Sequence, residues 1–412
     1  MLLIFLSGTA AASALPSTVE TVPPQKVIHM RNSSQLVAAT EIMAQFAEDT
    51  GLSGTQKPQR YLWTDAFAVC NFLEIHRLSG DKRFQEFALR LADQVHDILG
   101  RHRQDDFRSG WISGLADEEG RKHPTAGGLR IGKTMPERQP EEDFNQRLEW
   151  ERDGQYYHYL TKWMQALHNL ASATGDTLYD TWARELAEAA HTGFIYELEA
   201  GGEKRMCWKM SIDLSRPLVP AMGHHDALDG YLTSLELEES APRALERQVT
   251  ELRELCRDRD WTTDDPLGLG TILCDCLRTL RLAEVHSKQL LPLLKDLLTA
   301  AVSGLRQYAR QAPLLQPAEY RLAFRELGLA IGLQTLPLLK HHFTAGSSTA
   351  NEDIDTITNM IEALSAYENM GVEIEEYWLA AENRRVLPWI EHRHINMVML
   401  ATRLVPGGFL KK

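Results

Sequence analysis

The polar and apolar positions of this chain follow a helical period along most of its length. From about Gln35 onward, apolar side chains recur at spacings of three and four residues, which places them on one face of an α-helix. The sequence lacks convincing strand alternation, so its pattern predicts an all-α protein. The clearest apolar stripes run through residues 62–73, 84–98, 156–170, 179–189, 290–301 and 354–364.

Two turns of similar sequence join neighbouring stripes and indicate that the helices form hairpins. Residues 78–84 and residues 173–179 each close one helix and open the next. In both turns a glycine can adopt the left-handed conformation that ends a helix, and the aspartate after it can cap the following helix. Turns this short make consecutive helices antiparallel. The chain is therefore predicted to be a succession of helical hairpins.

One long irregular stretch interrupts the helical pattern at about residues 104–149. A loop of this length inside a compact domain is usually functional or disordered. It contains Trp111, the pair Gly127 and Gly128, and mixed charges, which favours a loop or small hairpin that covers a site. No linker rich in Pro, Gly or Ser divides the chain, so residues 31–412 are predicted to form a single domain in which residues 346–349 merely separate two hairpins.

The start of the chain has some features of a signal peptide. Residues 1–15 are apolar and end in small side chains, but they lack a positively charged start and their strongly apolar core is short. Residues 16–26 hold three prolines and little apolar patterning. We therefore expect residues 1–30 to be a disordered lead-in of an intracellular protein, with export as the alternative if residues 1–14 are a signal peptide.

The charge of the chain argues against nucleic acid as a partner. The 44 Lys and Arg and 57 Asp and Glu give a formal net charge of −13, without the basic footprint that a phosphate backbone requires. No stretch approaches the length that spans a bilayer, which argues against a membrane partner. The five cysteines include no CxxC pair, so they indicate neither a disulfide framework nor a zinc site. The sequence leaves the oligomeric state open.

The first segment with candidate chemistry is residues 149–159, which lead from the long loop into a helix. The segment is dense in titratable and aromatic side chains. His158 shares a helix face with Lys162 and Gln165, away from the apolar stripe. This polar line is either the wet face of an ordinary helix or part of a site. Apolar residues cover most of the same helix, so it should be buried on several sides. A functional site and a solvated face are therefore equally good interpretations of the polar line.

The second segment, residues 223–230, contains His224, His225, Asp226 and Asp229. Side chains of these types at a helix start can cap the helix or interact with its dipole. They can also form half of a metal site, but the HExxH spacing is missing and no third ligand is assignable, so no metal or cofactor is predicted. A histidine acting as general acid or base is the stronger hypothesis, because imidazole titrates near neutral pH.

The third segment, residues 389–396, contains His392 and His394 just before the last helical stripe. A lone histidine in such a position is more often structural than catalytic. Three histidine-bearing helix starts are harder to dismiss, because a closed ring of hairpins would bring the ends of its inner helices to one mouth. Sugar sites also use aromatic side chains as platforms. The aromatic residues near these segments are Trp63, Trp111, Trp150, Tyr156, Tyr157 and Trp389.

These segments resemble the N-acylglucosamine 2-epimerase superfamily, which belongs with the six-hairpin glycosidase-like proteins. Arg60 to Trp63, followed by an apolar helix and the turn at residues 78–81, is similar to the opening of that family. The stretch from His158 to the turn at residues 174–176 is similar to its histidine-bearing helix. Gly223 with His224 resembles its Gly-His element, and the last histidine segment resembles its final catalytic histidine. The resemblance covers roughly residues 58–405.

The resemblance implies an all-α (α/α)6 toroid that epimerises or isomerises a reducing sugar without a metal. It assigns the acid and base roles to His224 and to His392 or His394. His158 would orient the substrate and Arg60 would stabilise a developing enolate. The chain departs from the family where Thr64 and Asp65 follow Trp63 in place of polar Gln and Arg residues, and where Asp226 and Asp229 take the place of a glutamate. These departures from the family pattern weaken the inference about the reaction more than the inference about the fold.

Two other classes of function remain open for such a toroid. Glycoside hydrolases and unsaturated glycuronyl hydrolases use the same fold with carboxylates, and Asp65, Glu149, Asp153, Asp226 and Asp229 are available as acid and base. The third class is a non-catalytic toroid that binds a glycan or a protein. The expected partner in the first two classes is a small sugar or oligosaccharide. The candidate catalytic residues are His224, His392, His394 and Asp226, and the candidate substrate-binding residues are Arg60, Trp63, Asp65, Glu149, Asp153, Tyr157, His158, His225 and Trp389.

Overall fold

A computed structural model describes residues 24–197, 202–285, 288–345 and 352–410. Most of the predicted lead-in (residues 1–23) and the separator at residues 346–349 lie outside the described residues. The α-helices are α1 Pro24–Asp49, α2 Leu62–Ser79, α3 Lys82–Leu99, α4 Asp117–Lys122, α5 Gln146–Glu151, α6 Tyr157–Thr174, α7 Leu178–Phe194, α8 Asp226–Glu238, α9 Glu246–Leu255, α10 Pro266–Val285, α11 Leu291–Arg310, α12 Ala323–Leu333, α13 Leu336–Ala345, α14 Glu352–Ser365, α15 Glu368–Leu379, α16 Leu387–Glu391, α17 Arg393–Leu404 and α18 Gly407–Leu410.

Six helices form a closed inner ring. In order around the ring they are α2, α6, α8, α10, α12 and α17, and α17 packs back against α2. An outer helix covers each inner one: α3 covers α2, α7 covers α6, α9 covers α8, α11 covers α10, α15 covers α12 and α1 covers α17. Each outer helix returns the chain, so the inner helices are parallel and their N-termini meet at one end. The predicted (α/α)6 toroid is confirmed.

The burial pattern of the helices explains which of them are inner and which are outer. Residues 62–75 of α2 and residues 226–237 of α8 are buried without interruption. Such helices cannot face water on any side and must lie inside the fold. The outer helix α3 instead buries one stripe that includes Phe84, Leu91 and Val95, as its sequence predicts.

The two turns of similar sequence have the predicted conformations. Gly80 and Gly175 adopt left-handed backbone angles, with φ of 72° and 75°. The carboxylate of Asp81 accepts a hydrogen bond from the Arg83 backbone N–H, and Asp176 accepts one from Leu178 in the same way. These caps end one helix and start the next within two or three residues, which produces the antiparallel hairpins α2–α3 and α6–α7.

Short strands are present that the sequence pattern did not predict. They are β1 Gln155–Tyr156, β2 Ile195–Glu197, β3 Lys204–Met206, β4 Lys209–Met210 and β5 Pro217–Val219. These strands pair antiparallel, in a three-stranded sheet of order β1-β4-β5 and a two-stranded ribbon of β2 with β3. Strands of two or three residues are too short to produce a recognisable alternation. The region from β2 to α8 is thus a second irregular excursion, in addition to the predicted one.

The long loop between α3 and α6 contains α4 and α5 and is held in place by partly buried ion pairs. Arg108 contacts Asp106, Glu137 and Asp213, which lies in the second irregular region. The contact between Arg108 and Asp213 therefore joins the two irregular regions to each other. Short 3₁₀-helices occur at Lys288–Leu290, Pro313–Leu315, Ala318–Tyr320 and Asn383–Arg385. Among the described helices, none combines the length and apolar character that crossing a bilayer requires.

The opposite end of the ring is closed by α18. Phe409 stacks on Phe67 of α2 with ring centroids 4.7 Å apart. The side-chain amide of Asn169, near the end of α6, donates a hydrogen bond of 2.9 Å to the Gly408 carbonyl. Both Phe409 and Leu410 line the interior of the ring, so this segment forms its floor.

The inner helices α10 and α12 approach closely enough for their backbones to be in contact. A Cβ atom on Gly270 would lie 2.1 Å from the Gly328 carbonyl oxygen, so only glycine fits there.

We expect Gly270→Ala to lower the free energy of unfolding by about 1–3 kcal/mol, because the helices must separate. Urea denaturation followed by circular dichroism measures this. Gly371→Ala is the matched control, because its nearest neighbours would be 3.4 Å or more away. That substitution should leave stability unchanged or raise it, and an equal loss in both variants would contradict the packing argument.

Candidate active site

The inner ring encloses a cavity of about 740 Å³. It extends from the N-terminal ends of the inner helices to the floor formed by α18, and every inner helix contributes to its wall. The first turns of the inner helices, or the residues just before them, form its mouth. The side chains that line the mouth are Tyr61, Trp63, Tyr156, His158, His224, His225, Asp226, Asp265, Phe324, Arg325 and His392.

Histidines from three inner helices line this one cavity. His158 lies in the first turn of α6, His224 and His225 precede α8, and His392 precedes α17. The rings of His224 and His225 are 4.4 Å apart, and His392 meets Phe324 edge-on at 5.4 Å. Burial, and next the neighbouring His224, lower the pKa of His225 to about 4. The structure thus brings together the three histidine-bearing segments of the sequence.

One side of the mouth is an aromatic wall, defined by Trp150, Tyr156, His158 and Trp208. The ring of Trp208 lies 4.8 Å from Tyr156 and 4.7 Å from Trp150, and it is nearly parallel to His158 at 6.1 Å. Trp150 is 47% exposed, which leaves ring surface open to a ligand. Trp63, from α2, also lines the cavity and packs on Phe67 with ring centroids 4.5 Å apart.

His158 and Asp226 face each other within the cavity as an uncharged pair. His158 Nδ1 lies 3.6 Å from Asp226 Oδ1, beyond hydrogen-bond distance. Burial lowers the pKa of His158 to about 4, and burial followed by repulsion from Asp229 raises the pKa of Asp226 to about 8. Within the described residues, His158 Nδ1 and Asp226 Oδ2 have no hydrogen-bond partner. At neutral pH the pair is therefore uncharged, and each partner keeps one unpaired polar atom.

The raised pKa of Asp226 makes the stability of the protein depend on pH. The carboxyl ionises near pH 4 in the unfolded chain but only near pH 8 in the folded one, so stability falls as the pH rises between these values. Asparagine mimics the protonated carboxyl and does not titrate. We expect Asp226→Asn to gain stability relative to the wild type between pH 5 and pH 8, measured by urea denaturation at both values. The exposed control Asp143→Asn should show the same difference in free energy of unfolding from the wild type at both pH values. The same behaviour in Asp226→Asn would contradict the raised pKa.

A buried ionic network lies deeper in the cavity. Asp229 accepts hydrogen bonds from Lys162 at 3.0 Å and Arg278 at 2.8 Å, and its other oxygen lies 2.5 Å from the Thr161 hydroxyl. These cations hold the pKa of Asp229 well below its usual range against the effect of burial. Arg278 also binds Glu236 through two hydrogen bonds and Asp275 through one. Two carboxyl groups one helical turn apart on α8 thus have opposite protonation states: Asp226 is protonated and Asp229 is ionised.

Arg60 and Asp65 do not line the cavity, contrary to the sequence-based assignment. The Arg60 guanidinium donates a hydrogen bond of 2.6 Å to the Thr50 carbonyl, just after α1, and lies 3.7 Å from Asp65. Asp65 accepts from the Tyr61 backbone N–H at 2.9 Å, and burial raises its pKa to about 6. The pair therefore fixes the start of α2, and Arg60 is not positioned to stabilise an enolate.

The carboxylates of Glu149 and Asp153 also lie outside the cavity, where structural partners bind them. Glu149 binds Arg138 and the fully buried Lys209, each at 3.0 Å. Asp153 accepts hydrogen bonds from Arg130 at 3.0 Å and from the Gly132 backbone at 2.9 Å. Both carboxylates anchor the segment that carries Trp150 and Glu151 to the mouth, where those two side chains line the cavity.

Tyr157, Trp389 and His394 point away from the cavity into the layer between inner and outer helices. Tyr157 packs edge-on against Phe194 at 5.4 Å, and Trp389 stacks on Trp378 at 5.6 Å. The ring of His394 meets Phe46 of α1 at 5.9 Å. The reason is helix geometry, since residues one or two positions apart project in very different directions. His392 is thus the histidine of the last segment that lines the cavity.

Several residues of the cavity were not identified from the sequence. Trp208 comes from the irregular region between β3 and β4, which gives no periodic signal. Asp275 and Arg278 did leave a signal, because they are charged residues inside the otherwise apolar run of α10. Asp265 and Arg325 form an ion pair of 2.5 Å at the edge of the mouth, between the neighbouring helices α10 and α12. The described residues include no group of three or more His, Cys, Asp or Glu arranged to hold a metal ion.

Comparison with known proteins finds similarity at the level of structure. No family model matches the sequence, and no curated protein matches it. The chain is similar to a sugar epimerase from a ruminal bacterium, at 12% identity over 90% of this chain and 98% of that one, with a TM-score of 0.49. It is similar to a D-mannose isomerase at 12% identity over 90% and 97% of the two chains, with a TM-score of 0.48. A third similar structure is an unsaturated glucuronyl hydrolase specific for heparin, at 11% identity over 91% and 98%, with a TM-score of 0.43.

Proposed function

We propose that this protein is a sugar epimerase or isomerase in which His224 and His392 act as the acid and base on a reducing sugar. The observation that carries the proposal is that His158, His224 and His392, from three different inner helices, line one cavity. Of the carboxylates considered for a hydrolase, Asp65, Glu149 and Asp153 lie outside it.

The cavity has the size and chemistry that a sugar requires. Its volume of about 740 Å³ lies within the usual range of small-molecule sites. The aromatic wall offers flat apolar surface to the C–H face of a sugar ring. The uncharged pair of His158 and Asp226 faces the same space and suits the hydroxyl groups, because each partner keeps an unpaired polar atom.

The proposed reaction moves one proton at the carbon next to the carbonyl of the open-chain sugar. One of His224 and His392 removes the proton from C2, and the electrons of the C–H bond form an enediolate. Return of a proton to the opposite face of C2 from the other histidine gives the epimer. Delivery of the proton to C1, together with transfer of the O2 hydroxyl proton to O1, gives the ketose. The protonated carboxyl of Asp226 can donate a hydrogen bond to the enediolate oxygen, a role suited to a carboxylic acid kept neutral by burial.

A glycoside hydrolase or unsaturated glycuronyl hydrolase is the second candidate. It is favoured by the presence of a protonated and an ionised carboxyl group, Asp226 and Asp229, in the same cavity. The argument against it is that Lys162, Arg278 and Thr161 occupy the oxygens of Asp229, so this carboxylate is poorly placed to attack or to activate water. A non-catalytic sugar-binding toroid is the third candidate.

A panel of reducing sugars separates the three candidates. We propose incubation in D2O with glucose, mannose, fructose and their β-1,4-linked disaccharides where these exist, followed by proton NMR. Loss of the C2 proton signal with appearance of an epimer or ketose is expected. New reducing ends from glycosides, without exchange at C2, would instead establish a hydrolase. Saturable binding with neither reaction would overturn both enzymatic proposals in favour of the binding toroid.

A further inference from the structure

A second, smaller pocket lies on the rim of the toroid beside the mouth. Its volume is about 200 Å³, and it is formed by the start of α10, the end of α11 and the segment that leads into α12. Liquid water occupies roughly 30 Å³ per molecule, so the pocket has the volume of about seven waters, which suits a single sugar ring. Arg325 lines both this pocket and the central cavity, so one side chain separates the two spaces.

One residue of the pocket wall is a buried tyrosine whose hydroxyl group has no partner. Tyr308, in the last turn of α11, is only 4% exposed, and its side chain lines the pocket. Among the residues that the structure describes, none forms a hydrogen bond with its hydroxyl oxygen. The Arg325 Nε atom, on the wall shared with the central cavity, is likewise buried and unpaired. Polar groups of this kind are costly to bury unless something binds them, so their presence points to a polar ligand.

The outer edge of the pocket is an exposed aromatic ring. Tyr320 lines the pocket and is 80% exposed, in a short 3₁₀-helix that precedes α12. Its ring offers a ligand a large, rigid contact surface beside the pocket. Its flat face is suited to the C–H side of a sugar ring, as in the aromatic wall of the central cavity.

The charges around the pocket argue against an anion as its ligand. Arg321 is neutralised by Glu326 through hydrogen bonds of 2.7 and 2.8 Å, and it lies over the ring of Tyr377 at 3.8 Å. Arg325 is paired with Asp265. Since each arginine of the pocket has a carboxylate partner, no net positive charge remains to attract a phosphate or a carboxylate. An uncharged, hydroxyl-rich ligand fits the groups that are left.

We propose that the rim pocket is a second saccharide subsite, which binds a further sugar unit of an oligosaccharide whose reducing end occupies the central cavity. The proposal rests on the proposed action on reducing sugars and specifies the substrate class: an oligosaccharide is preferred over a monosaccharide. Tyr320 stacks on the outer unit, and the Tyr308 hydroxyl and Arg325 Nε bind its hydroxyl groups.

The test measures how binding depends on the length of the saccharide. Isothermal titration calorimetry with glucose, cellobiose, cellotriose and cellotetraose, and with the matching mannose series, is performed on the full chain. Affinity is expected to rise at the length that reaches the rim pocket. Tyr308→Phe should reduce that gain roughly three- to tenfold, as expected for loss of one hydrogen bond, and Tyr320→Ala should reduce it on the order of tenfold. Affinity for the shortest sugars should be unchanged in both variants.

Two control variants match these substitutions. Tyr231→Phe removes the hydroxyl of a buried tyrosine that lines neither pocket, and Phe107→Ala removes an aromatic ring that is 89% exposed outside both. Neither should change the length dependence. Equal affinity for all lengths in the wild type, or a length dependence that survives both tyrosine substitutions, would overturn the rim subsite. Because binding is measured apart from turnover, absence of C2 exchange would overturn the proposed reaction without affecting this result.

Discussion

Replacement of His392 by asparagine should lower the rate of C2 proton exchange by about 100-fold or more. General acid–base catalysis by a positioned side chain contributes on the order of 10²–10⁴ to a rate, and asparagine cannot transfer a proton in this way. His392 lines the cavity immediately before α17. Asparagine is a favourable residue at a helix N-cap, so the start of α17 should be preserved. His224→Asn is expected to cause a loss of similar size. Exchange of the C2 proton in D2O, at saturating sugar, measures both.

His394→Asn provides the matched control two residues away. Its imidazole packs against Phe46 and lies 4.0 Å from Asp49, outside the cavity. We expect exchange in this variant to remain within a few-fold of the wild type once equal folding is verified by circular dichroism. The opposite ranking, with activity lost in His394→Asn and kept in His392→Asn, would refute the assignment. Retention of activity in all three histidine variants would refute the histidine mechanism itself.

The parts of the fold that sequence could predict are those set by local chemistry. Apolar spacing identified the helices, and the turns at Gly80 and Gly175 identified the hairpins because a left-handed glycine followed by a capping aspartate acts within a few residues. The strands β1 to β5 were missed because each is only two or three residues long. Their pairing depends on contacts between distant segments, which leave no periodic trace in the sequence.

The same distinction explains which site residues were predicted. His158, His224 and His392 were found because they mark the starts of helices, and a closed ring brings those starts together. Glu149 and Asp153 were misassigned because the cations that bind them are remote in sequence or lie in irregular segments. Lys209 is an example: it follows Glu149 by 60 positions, yet its ammonium group is 3.0 Å from the Glu149 carboxylate. Sequence shows that a carboxylate is present but does not show whether its charge is already satisfied.

Substitution of Arg278 by methionine should have the largest effect on stability, a loss of about 3–5 kcal/mol in the free energy of unfolding. Breaking a buried ionic network by removing one partner leaves the remaining charges unsolvated. Arg278 is the shared cation of Asp229, Glu236 and Asp275, and its side chain is 12% exposed. Methionine has a similar length and keeps the apolar packing. The loss in free energy of unfolding therefore measures the effect of removing the positive charge. Urea denaturation monitored by circular dichroism gives the value.

Two further variants separate the charge effect from a general effect of losing an arginine. Arg83→Met removes the partner of Asp81, but the Arg83 side chain is 74% exposed, so the loss should be small compared with that of Arg278→Met. Adding Glu236→Gln to Arg278→Met removes one of the carboxylates that lost Arg278 as a partner. The double variant should therefore recover part of the lost stability. If Arg278→Met is no more damaging than Arg83→Met, the carboxylates that Arg278 binds are solvated or protonated once it is removed, and the argument from a buried charged network is wrong. A large loss that Glu236→Gln partly reverses instead means that a charged network, with Arg278 as its shared cation, lies beneath the proposed sugar site.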